Sequence, residues 1–429
     1  MMIKKVLCVI LILISLFFTK IQIAYAYDFD FDSDNLPNYY FENNWLENKV
    51  NEIKEHQTGQ YKTFVFITDI HFFSNVGNSS KLIRYIKDKT NVDFVISGGD
   101  IAYAYGELTG PSAEIEQSIA AYQQFVNSLN SKGLPVYTAR GNHDFTVKRS
   151  KTDSSSRTLT QEETYNALIT TLPDNINIDN NKLYYYFDDD DNKTRYIILD
   201  AYEKYRDTTH GFGITDYISK DQLNWLLNDA LNKKDYRFVI TSHPAVDENI
   251  SWYSEDLTII HDIEKAINNN EVFNATYEEQ VYQKDFSNTN NVVLLHFSGH
   301  THVDDFMISD NVLSISTRND ALYNDGIKSG VEKYMNEALR VRDSVGEQCF
   351  DVVTINYSDQ KIYTTRIGTD VNREWNFTGD IKIDDDTVIV PDTSAYSSNI
   401  TSIVGLLLAS IGFIIMFITL KSKKINNSL

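Results

Sequence analysis

The stretch TFVFITDIH, residues 63–71, decides the class of fold. Its first part, Thr63–Ile67, is a short run of β-branched and aromatic residues, which is typical of a buried strand. An acid and an imidazole, Asp69 and His71, follow at once. Because open α/β sheets bind ligands beyond the carboxyl ends of their strands, this order predicts a functional group at the end of a strand.

The same order of strand and polar residue recurs along the chain. Further strands are predicted at Asp93–Ser97, Val136–Ala139, Tyr196–Leu199, Phe238–Thr241 and Val292–Phe297. The helical spacing of apolar residues predicts helices at Ala113–Leu129, Glu162–Thr171 and Lys220–Asn232. Strands that alternate with helices predict an α/β domain whose central sheets are covered by helices.

Residue types that bind metals follow five of these strands. They are Asp69 and His71, then Asp100, then Asn142 with His143 and Asp144, then His243, and finally His300 and His302. Asp, Asn and Gly are ordinary turn residues, which explains any one of these positions. It does not explain why five of the nine histidines lie in such short segments. Imidazole combined with carboxylate binds divalent transition metals, so the five loops are predicted to form one metal site.

Taken together, these motifs resemble those of the calcineurin-like metallophosphoesterases over about Lys62–Arg366. The matching motifs are Asp69-Ile70-His71, Gly99-Asp100, Gly141-Asn142-His143-Asp144, His243 and Gly299-His300-Thr301-His302. The resemblance implies a four-layer α-β-β-α sandwich that holds two ions of manganese, iron or zinc. It assigns one ion to Asp69, His71, Asp100 and His302, and the other to Asp100, Asn142, His243 and His300.

The resemblance also implies the reaction, which is cleavage of phosphate esters by metal-activated water. His143 is the expected catalytic group that protonates the leaving oxygen or stabilises its charge. Asp144 is expected to hydrogen-bond the far nitrogen of that ring and to fix its tautomer. The alternative that His143 is a structural turn residue stays open.

Several polar residues near the motifs have weaker interpretations. Gly99-Asp100-Ile101-Ala102-Tyr103 resembles a purple acid phosphatase motif whose tyrosine binds iron. Those enzymes carry Gly where this chain has His71, so Tyr103 is expected beside the ligands or in the core. Arg140 is a weak candidate for contacting phosphate. His296 is interpreted as a hydrogen-bonded core residue, and Asp200 as a turn residue.

The two ends of the chain carry apolar segments. Met1–Ala26 combines two lysines, a short apolar run and the small-x-small site Ala24-Tyr25-Ala26, which predicts a signal peptide. Ile400–Leu420 has no charged residue and is long enough to cross a bilayer. Lysines in 421–429 place the C-terminus in the cytoplasm. The segment between the two ends is therefore expected to be extracytoplasmic.

Domain boundaries follow from these segments. The predicted order is a signal peptide at 1–26, a loosely packed N-terminal leader region at 27–60, the phosphoesterase domain at 61–370, a polar stalk at 371–399, a transmembrane helix at 400–420 and a basic tail at 421–429. In the stalk, Val390-Pro391-Asp392-Thr393-Ser394 resembles the Leu-Pro-x-Thr-Gly sortase signal with two departures. Attachment to the cell wall by a sortase and a plain membrane anchor both stay open.

Composition restricts the partners. The net charge is −21, and six of the 39 Lys and Arg residues lie in the two terminal segments, which contain no Asp or Glu. A domain this acidic repels polyanions, so no nucleic acid is expected as a partner. Only Cys8 and Cys349 occur, and Cys8 lies in the predicted signal peptide. The mature chain is therefore expected to have no intramolecular disulfide.

The sequence favours an extracytoplasmic, membrane- or wall-anchored phosphohydrolase that acts on a small phosphorylated substrate. Phosphomonoesters, nucleotides and small phosphodiesters are expected, because nothing that resembles the nucleoside-binding domain of periplasmic nucleotidases follows the catalytic domain. One alternative is a phosphodiesterase for cyclic nucleotides or glycerophosphodiesters. Another is a non-catalytic surface adhesin on the same fold, although a decayed site should have lost at least one ligand.

Overall fold

The computed structural model describes most of the chain between Asp30 and Ile383. The described residues are 30–31, 33–71, 76–101, 111–144, 146–147, 157–158, 161–169, 171–179, 182–205, 214–250, 253–322, 340–369, 371–377 and 381–383. The chain divides into two compact units, Met1–Ile389 and Val390–Leu429, and every described residue belongs to the first. The predicted signal peptide, sortase-like motif, transmembrane helix and basic tail lie outside these ranges. Within them, no helix is both long and apolar enough to cross a bilayer.

Three helices lie where apolar spacing predicts them, and three more are additions to the prediction. Their bounds are α1 Trp45–His56, α2 Val76–Lys89, α3 Pro111–Asn130, α4 Gln161–Ile169, α5 Lys220–Trp225 and α6 Thr258–Asn268. Short 3-10 turns lie at Asn38–Tyr40, Glu42–Asn44 and Glu255–Leu257. The Ser219 side chain accepts a hydrogen bond from the Gln222 amide and so caps α5, which continues as a π-helical turn over Leu226–Ala230. The additions to the sequence prediction are α1, α2 and α6.

Two seven-stranded sheets form the centre of the described structure. The first sheet runs in the order β20 Ile381–Ile383, β19 Arg373–Asn376, β18 Lys361–Gly368, β17 Cys349–Asn356, β1 Tyr61–Ile67, β2 Phe94–Ser97 and β3 Val136–Thr138. The second runs in the order β15 Asp305–Ser309, β16 Val312–Ser316, β14 Val292–Ser298, β11 Arg237–Thr241, β8 Thr194–Ile198, β7 Tyr185–Asp189 and β6 Asn177–Ile178. Three two-stranded ribbons pair β4 Thr146–Val147 with β5 Arg157–Thr158, β9 Lys204–Tyr205 with β10 Ile214–Thr215, and β12 Val272–Tyr277 with β13 Gln280–Asp285.

Parallel pairing aligns the strand ends from which the motif loops start. In the first sheet, β1, β2 and β3 are parallel, and Ser97 pairs with both Ile67 and Thr138. In the second, β8, β11 and β14 are parallel, and Thr241 pairs with both Ile198 and Phe297. The loops that follow these strands therefore leave each sheet at a common edge.

Three clusters of buried hydrophobic side chains show how the sheets and helices are layered. Alternate residues of β1 face opposite sides, as the pleat requires: Phe64 and Phe66 join a cluster shared by both sheets, where Phe66 stacks on Phe297 with ring centroids 4.3 Å apart. Val65 and Ile67 join a second cluster with α1, α2 and α3. A third cluster covers the second sheet with α5 and α6. Helices therefore lie outside both sheets, and the predicted mixed α/β class is confirmed.

The structure corrects the two boundaries predicted for the central domain. The segment predicted as a loose leader at 27–60 contains α1, whose Leu46, Val50 and Ile53 are fully buried. The stalk predicted from residue 371 begins with two more strands of the first sheet, and Trp375 is fully buried. The polar composition of both segments did not indicate a helix or a strand, because each element buries only one face and exposes polar side chains on the other.

Candidate metal centre

The predicted ligands come from loops of both sheets. They follow β1, β2, β3, β11 and β14 in turn: Asp69 and His71, Asp100, Asn142, His243, and the pair His300 and His302. Backbone hydrogen bonds join these loops across the gap between strands. The Asp69 amide donates to the Gly99 carbonyl at 2.9 Å, and the Gly299 amide donates to the His243 carbonyl at 2.8 Å. Each ligand loop is thus held by the next.

Five of these seven residues adopt the left-handed backbone conformation. Their φ angles are 52° at Asp69, 47° at His71, 51° at Asp100, 68° at His300 and 60° at His302. Such angles are uncommon for residues with a Cβ, and each costs on the order of 1–2 kcal/mol. Strain of this kind persists where the surrounding structure enforces it, and it clusters at functional sites. The local sequence did not predict these left-handed angles.

Two glycines make room for the ligands. Gly99 has φ of 100°, and a Cβ there would lie 2.7 Å from Nδ1 of His243 and 2.8 Å from the Gly141 amide nitrogen. At Gly299 a Cβ would clash with the Thr68 hydroxyl and the Asp69 carboxylate. The absence of a Cβ at both positions therefore allows the neighbouring ligand loops to approach one another closely.

Asp69, His71 and His302 form the first group of donor atoms. Nε2 of His302 lies 3.2 Å from Oδ1 of Asp69, and Nε2 of His71 lies 3.7 Å from the same oxygen. The two Nε2 atoms are 3.2 Å apart. One oxygen and two nitrogens therefore face a common point.

Asn142, His243 and His300 form the second group, together with Asp100. Oδ1 of Asn142 lies 3.1 Å from Nε2 of His243 and 3.0 Å from Nδ1 of His300. Oδ2 of Asp100 lies 3.2 Å from Nε2 of His243 and 3.9 Å from Nε2 of His71. Asp100 therefore lies between the two groups, as a bridging carboxylate must.

The donor set fits a divalent cation. Oδ1 of Asp69 is buried and accepts no hydrogen bond from the described residues, although imidazole nitrogens of His302, His71 and His243 lie at 3.2, 3.7 and 3.9 Å. A buried carboxylate oxygen without a donor is costly, and a cation at this point would satisfy it. Nδ1 of His243 lies 2.7 Å from the Gly98 carbonyl oxygen. That contact holds a proton on Nδ1 and leaves the Nε2 lone pair for a metal.

Burial and mutual charge shift the pKa values of the ligands. Burial lowers the pKa of His71 to about 3, and burial together with the charge of His243 lowers that of His300 to about 4. Burial alone would lower the pKa of His243, but the carboxylates of Asp100 and Asp69 outweigh it and raise the value to about 10. Burial raises the pKa of both acids, but His243 and the other nearby histidines together outweigh it and lower both values, so both stay ionised. The metal-free cluster thus keeps one positive imidazole between two carboxylates.

His143 and Asp144 lie beside the donor groups. The His143 side chain is 19% exposed, and its Nε2 lies 3.8 Å from Oδ2 of Asp100. Burial lowers its pKa, so the ring is neutral at neutral pH. Oδ2 of Asp144 accepts the backbone N–H groups of Gly141 at 2.8 Å and Asp100 at 3.0 Å. Asp144 therefore ties two motif loops together, and its expected bond to the His143 ring stays a prediction.

Arg140 is not a phosphate ligand in this structure. Its side chain is 1% exposed and forms a two-point salt bridge with Asp200, Nε to Oδ1 at 3.0 Å and Nη2 to Oδ2 at 2.8 Å. Gln222 accepts from the Asp200 amide at 2.9 Å and donates to its carbonyl at 2.8 Å. The phosphate-contact prediction for Arg140 is wrong, because the burial and pairing that occupy this side chain depend on contacts far apart in sequence.

Tyr202 belongs to the site but no motif marked it. Its hydroxyl lies 3.5 Å from Oδ1 of Asn142, and its ring centroid lies 5.9 Å from that of His243. Burial and the nearby Asp216 hold the pKa of this phenol well above its usual value, so the hydroxyl remains a donor. The sequence signal that could have identified Tyr202 is its position just after β8, since the ligands also follow strands. Tyr103 lies outside the described residues.

The profile of the calcineurin-like phosphoesterase family matches residues 62–304. The chain belongs to this family, as the motifs predicted, and is a metal-dependent phosphoesterase. The candidate donor groups described above lie within or beside the matched region. No curated protein matches the sequence.

Several solved structures share the fold at low sequence identity. One is a conserved uncharacterized protein from Streptococcus pneumoniae, described as a phosphoesterase, with 10% identity, TM-score 0.24, and coverage of 76% of this chain and 95% of that chain. A candidate 5′-nucleotidase from Staphylococcus aureus has 13% identity, TM-score 0.36, and coverage of 76% and 53%. The phosphopantetheinyl hydrolase from Mycobacterium tuberculosis has 11% identity, TM-score 0.31, and coverage of 64% and 100%.

Proposed function

We propose that this phosphoesterase is an extracytoplasmic enzyme that uses two metal ions to hydrolyse small phosphate esters. The observation that carries the proposal is the convergence of seven donor side chains from five loops in two adjoining groups, one of which contains the buried, unsatisfied oxygen of Asp69. A cluster of structural ion pairs would not need so many metal-binding side chains to face one another. Manganese, iron and zinc all suit carboxylate and imidazole donors.

The two donor groups divide the ligands between the ions. Asp69, His71, Asp100 and His302 hold one ion, and Asp100, Asn142, His243 and His300 hold the other. The bound ions would neutralise the ester and activate a water for in-line attack. Asn142 supports this by offering an oxygen without a further negative charge.

The protein itself orients the reacting groups. Among the site side chains, those of His302 and His143 are 26% and 19% exposed, whereas those of Asp69, His71 and His243 are fully buried. The substrate therefore approaches from the side of His143 and His302. A neutral ring at His143 can deliver a proton to the leaving oxygen only after it is protonated, so its first contribution is a hydrogen bond to the phosphoryl oxygens or the leaving group.

The location is the second part of the proposal. The apolar segments at 1–26 and 400–420 support export and a membrane anchor, and residues 390–394 support the variant with sortase attachment. Protease treatment of intact cells tests this, because an outward-facing domain is digested while a cytoplasmic one is protected.

The activity test uses the full chain purified in detergent. With manganese present, it should hydrolyse a chromogenic phosphomonoester or phosphodiester; a chelator should abolish the turnover and added manganese should restore it. The ratio of the two rates separates a monoesterase from a diesterase. Stoichiometric bound metal without turnover on a broad phosphoester panel would favour the adhesin alternative.

A further inference from the structure

A chain of buried polar side chains lies directly behind His243. The hydroxyl of Ser242 donates to the Pro244 carbonyl at 2.7 Å, and Nε2 of His296 lies 2.7 Å from the same hydroxyl oxygen. Nδ1 of His296 lies 2.6 Å from Oε1 of Glu264. Ser242, His296 and Glu264 are each at most 2% exposed. None of the three belongs to the metal-binding motifs.

Hydrogen-bond counting fixes the direction of this chain. A serine hydroxyl has one proton, and in Ser242 it points to the Pro244 carbonyl. The Ser242 oxygen must therefore accept from Nε2–H of His296. The other nitrogen of that ring faces the Glu264 carboxylate, so the bond at 2.6 Å is charge-assisted. The hydrogen bonds therefore connect α6, β14 and the end of β11.

This chain links the two loops that carry His243 and His300. In the parallel ladder, Ile240 and Thr241 of β11 pair with His296 and Phe297 of β14. Just beyond them, the Ser242 amide donates to the Phe297 carbonyl at 3.1 Å. The side-chain bond between Ser242 and His296 therefore adds a second connection at the point where both loops leave the sheet.

The loops joined in this way serve one donor group. His243 and His300 meet at Oδ1 of Asn142, at 3.1 and 3.0 Å. Two donors of the other group, Asp69 and His71, come from the loop after β1 in the first sheet, which this chain does not contact among the described residues. A change in the Ser242 to His296 bond should therefore move one donor group relative to the other.

We propose that Glu264, His296 and Ser242 are positioning residues that set the spacing of His243 and His300, and so the affinity for the single metal ion these histidines share. The inference rests on the proposed two-metal function. Partners that orient metal ligands typically account for about 10- to 100-fold in metal affinity. The other ion should lose less affinity, because only its ligand His302 lies on a loop that this chain joins, whereas Asp69, His71 and Asp100 follow strands of the first sheet.

The test is a manganese titration of the full chain by calorimetry. Ser242→Ala should weaken one of two binding events about tenfold and the second by a clearly smaller factor, because His302 shares the loop of His300. Ser80→Ala is the matched control, because it removes an equally buried hydroxyl bond of 2.7 Å, to Ser128, between α2 and α3. It should leave both events unchanged.

A pair of Glu264 variants separates positioning from packing. Glu264→Gln keeps an acceptor for His296 and should weaken the sensitive event less than Glu264→Ala does. Equal weakening of both events, or no change in either, would overturn the positioning role. A wild-type chain that binds no manganese would instead overturn the proposed function and, with it, the positioning role.

Discussion

Two buried polar regions near the strand ends differ in how their charges are paired. Around Asp351, every charge meets its opposite: Arg366 donates to both Asp304 and Asp351, and Arg373 donates to Asp351 at 2.8 Å. In the metal centre, Oδ1 of Asp69 has no hydrogen-bond donor among the described residues. The ion pairs around Asp351 stabilise the fold. In the metal centre, the Asp69 oxygen without a donor is positioned to bind a cation.

The paired region also fixes the metal loops from outside. Asp304 lies two residues beyond His302, and Arg366 binds it at 2.6 and 2.8 Å from β18 of the first sheet. Arg140 and Asp200 make a similar connection between the ends of β3 and β8. We define these two salt-bridge sets as the arginine clamps. They join the two sheets, each of which supplies donors to both groups.

The largest effect is expected at Asp100, the residue between the donor groups. Asp100→Asn keeps the shape and the acceptor for the His143 amide but removes the charge, so hydrolysis should fall roughly a thousandfold, about 4 kcal/mol. The free energy of unfolding of the metal-free protein should change by less than about 1 kcal/mol. Steady-state kinetics and urea unfolding in chelator measure the two. Unchanged turnover would contradict the assignment.

An arginine clamp should show the opposite pattern. Arg366→Met removes the arginine that bonds both Asp304 and Asp351 and leaves these buried carboxylates to share Arg373, so it should lower the free energy of unfolding by about 3–5 kcal/mol. Cys349 reports the same event, because its Sγ lies 3.0 Å from Nη1 of Arg366 and burial raises its thiol pKa to about 12. Its alkylation, followed by mass spectrometry, should be negligible in the wild type and faster in the variant. Stability within about 1 kcal/mol of the wild type would contradict the clamp role.

His143 should affect the reaction without affecting the metals. His143→Ala should lower kcat about a hundredfold, at the lower end of the range for proton-transfer groups. The metal content should remain two ions per chain, because no donor of either group is removed. Elemental analysis beside kinetics checks this, and loss of an ion would make His143 a ligand instead.

Tyr202 should give the smallest effect. Tyr202→Phe removes a long hydrogen bond to Asn142 together with the hydroxyl's bond to Asp216, so we expect a loss of about 1 kcal/mol in metal affinity, roughly fivefold. Calorimetric titration with manganese measures it. A loss above a hundredfold would show that the hydroxyl itself binds an ion.

The sequence predicted the elements whose signals are local. The strand Thr63–Ile67 and its successors show in runs of β-branched and aromatic residues, and the ligands show because histidine is scarce. The sequence did not predict helix α1 or strand β19, which carries Trp375, because each element buries only one face and has a polar composition overall. Arg140 was misassigned because its partner, Asp200, lies 60 residues away in the chain.

The sequence by itself determined the class of fold, the order of the donor residues and the family, because these depend on residue types at short spacing. Only the tertiary structure decided which donors face each other, which ligand residues take left-handed angles, and which buried charges are paired. Those features arise where two sheets meet, so they depend on contacts between segments that are distant in the chain. Local patterns cannot encode such contacts, and the folded core imposes them.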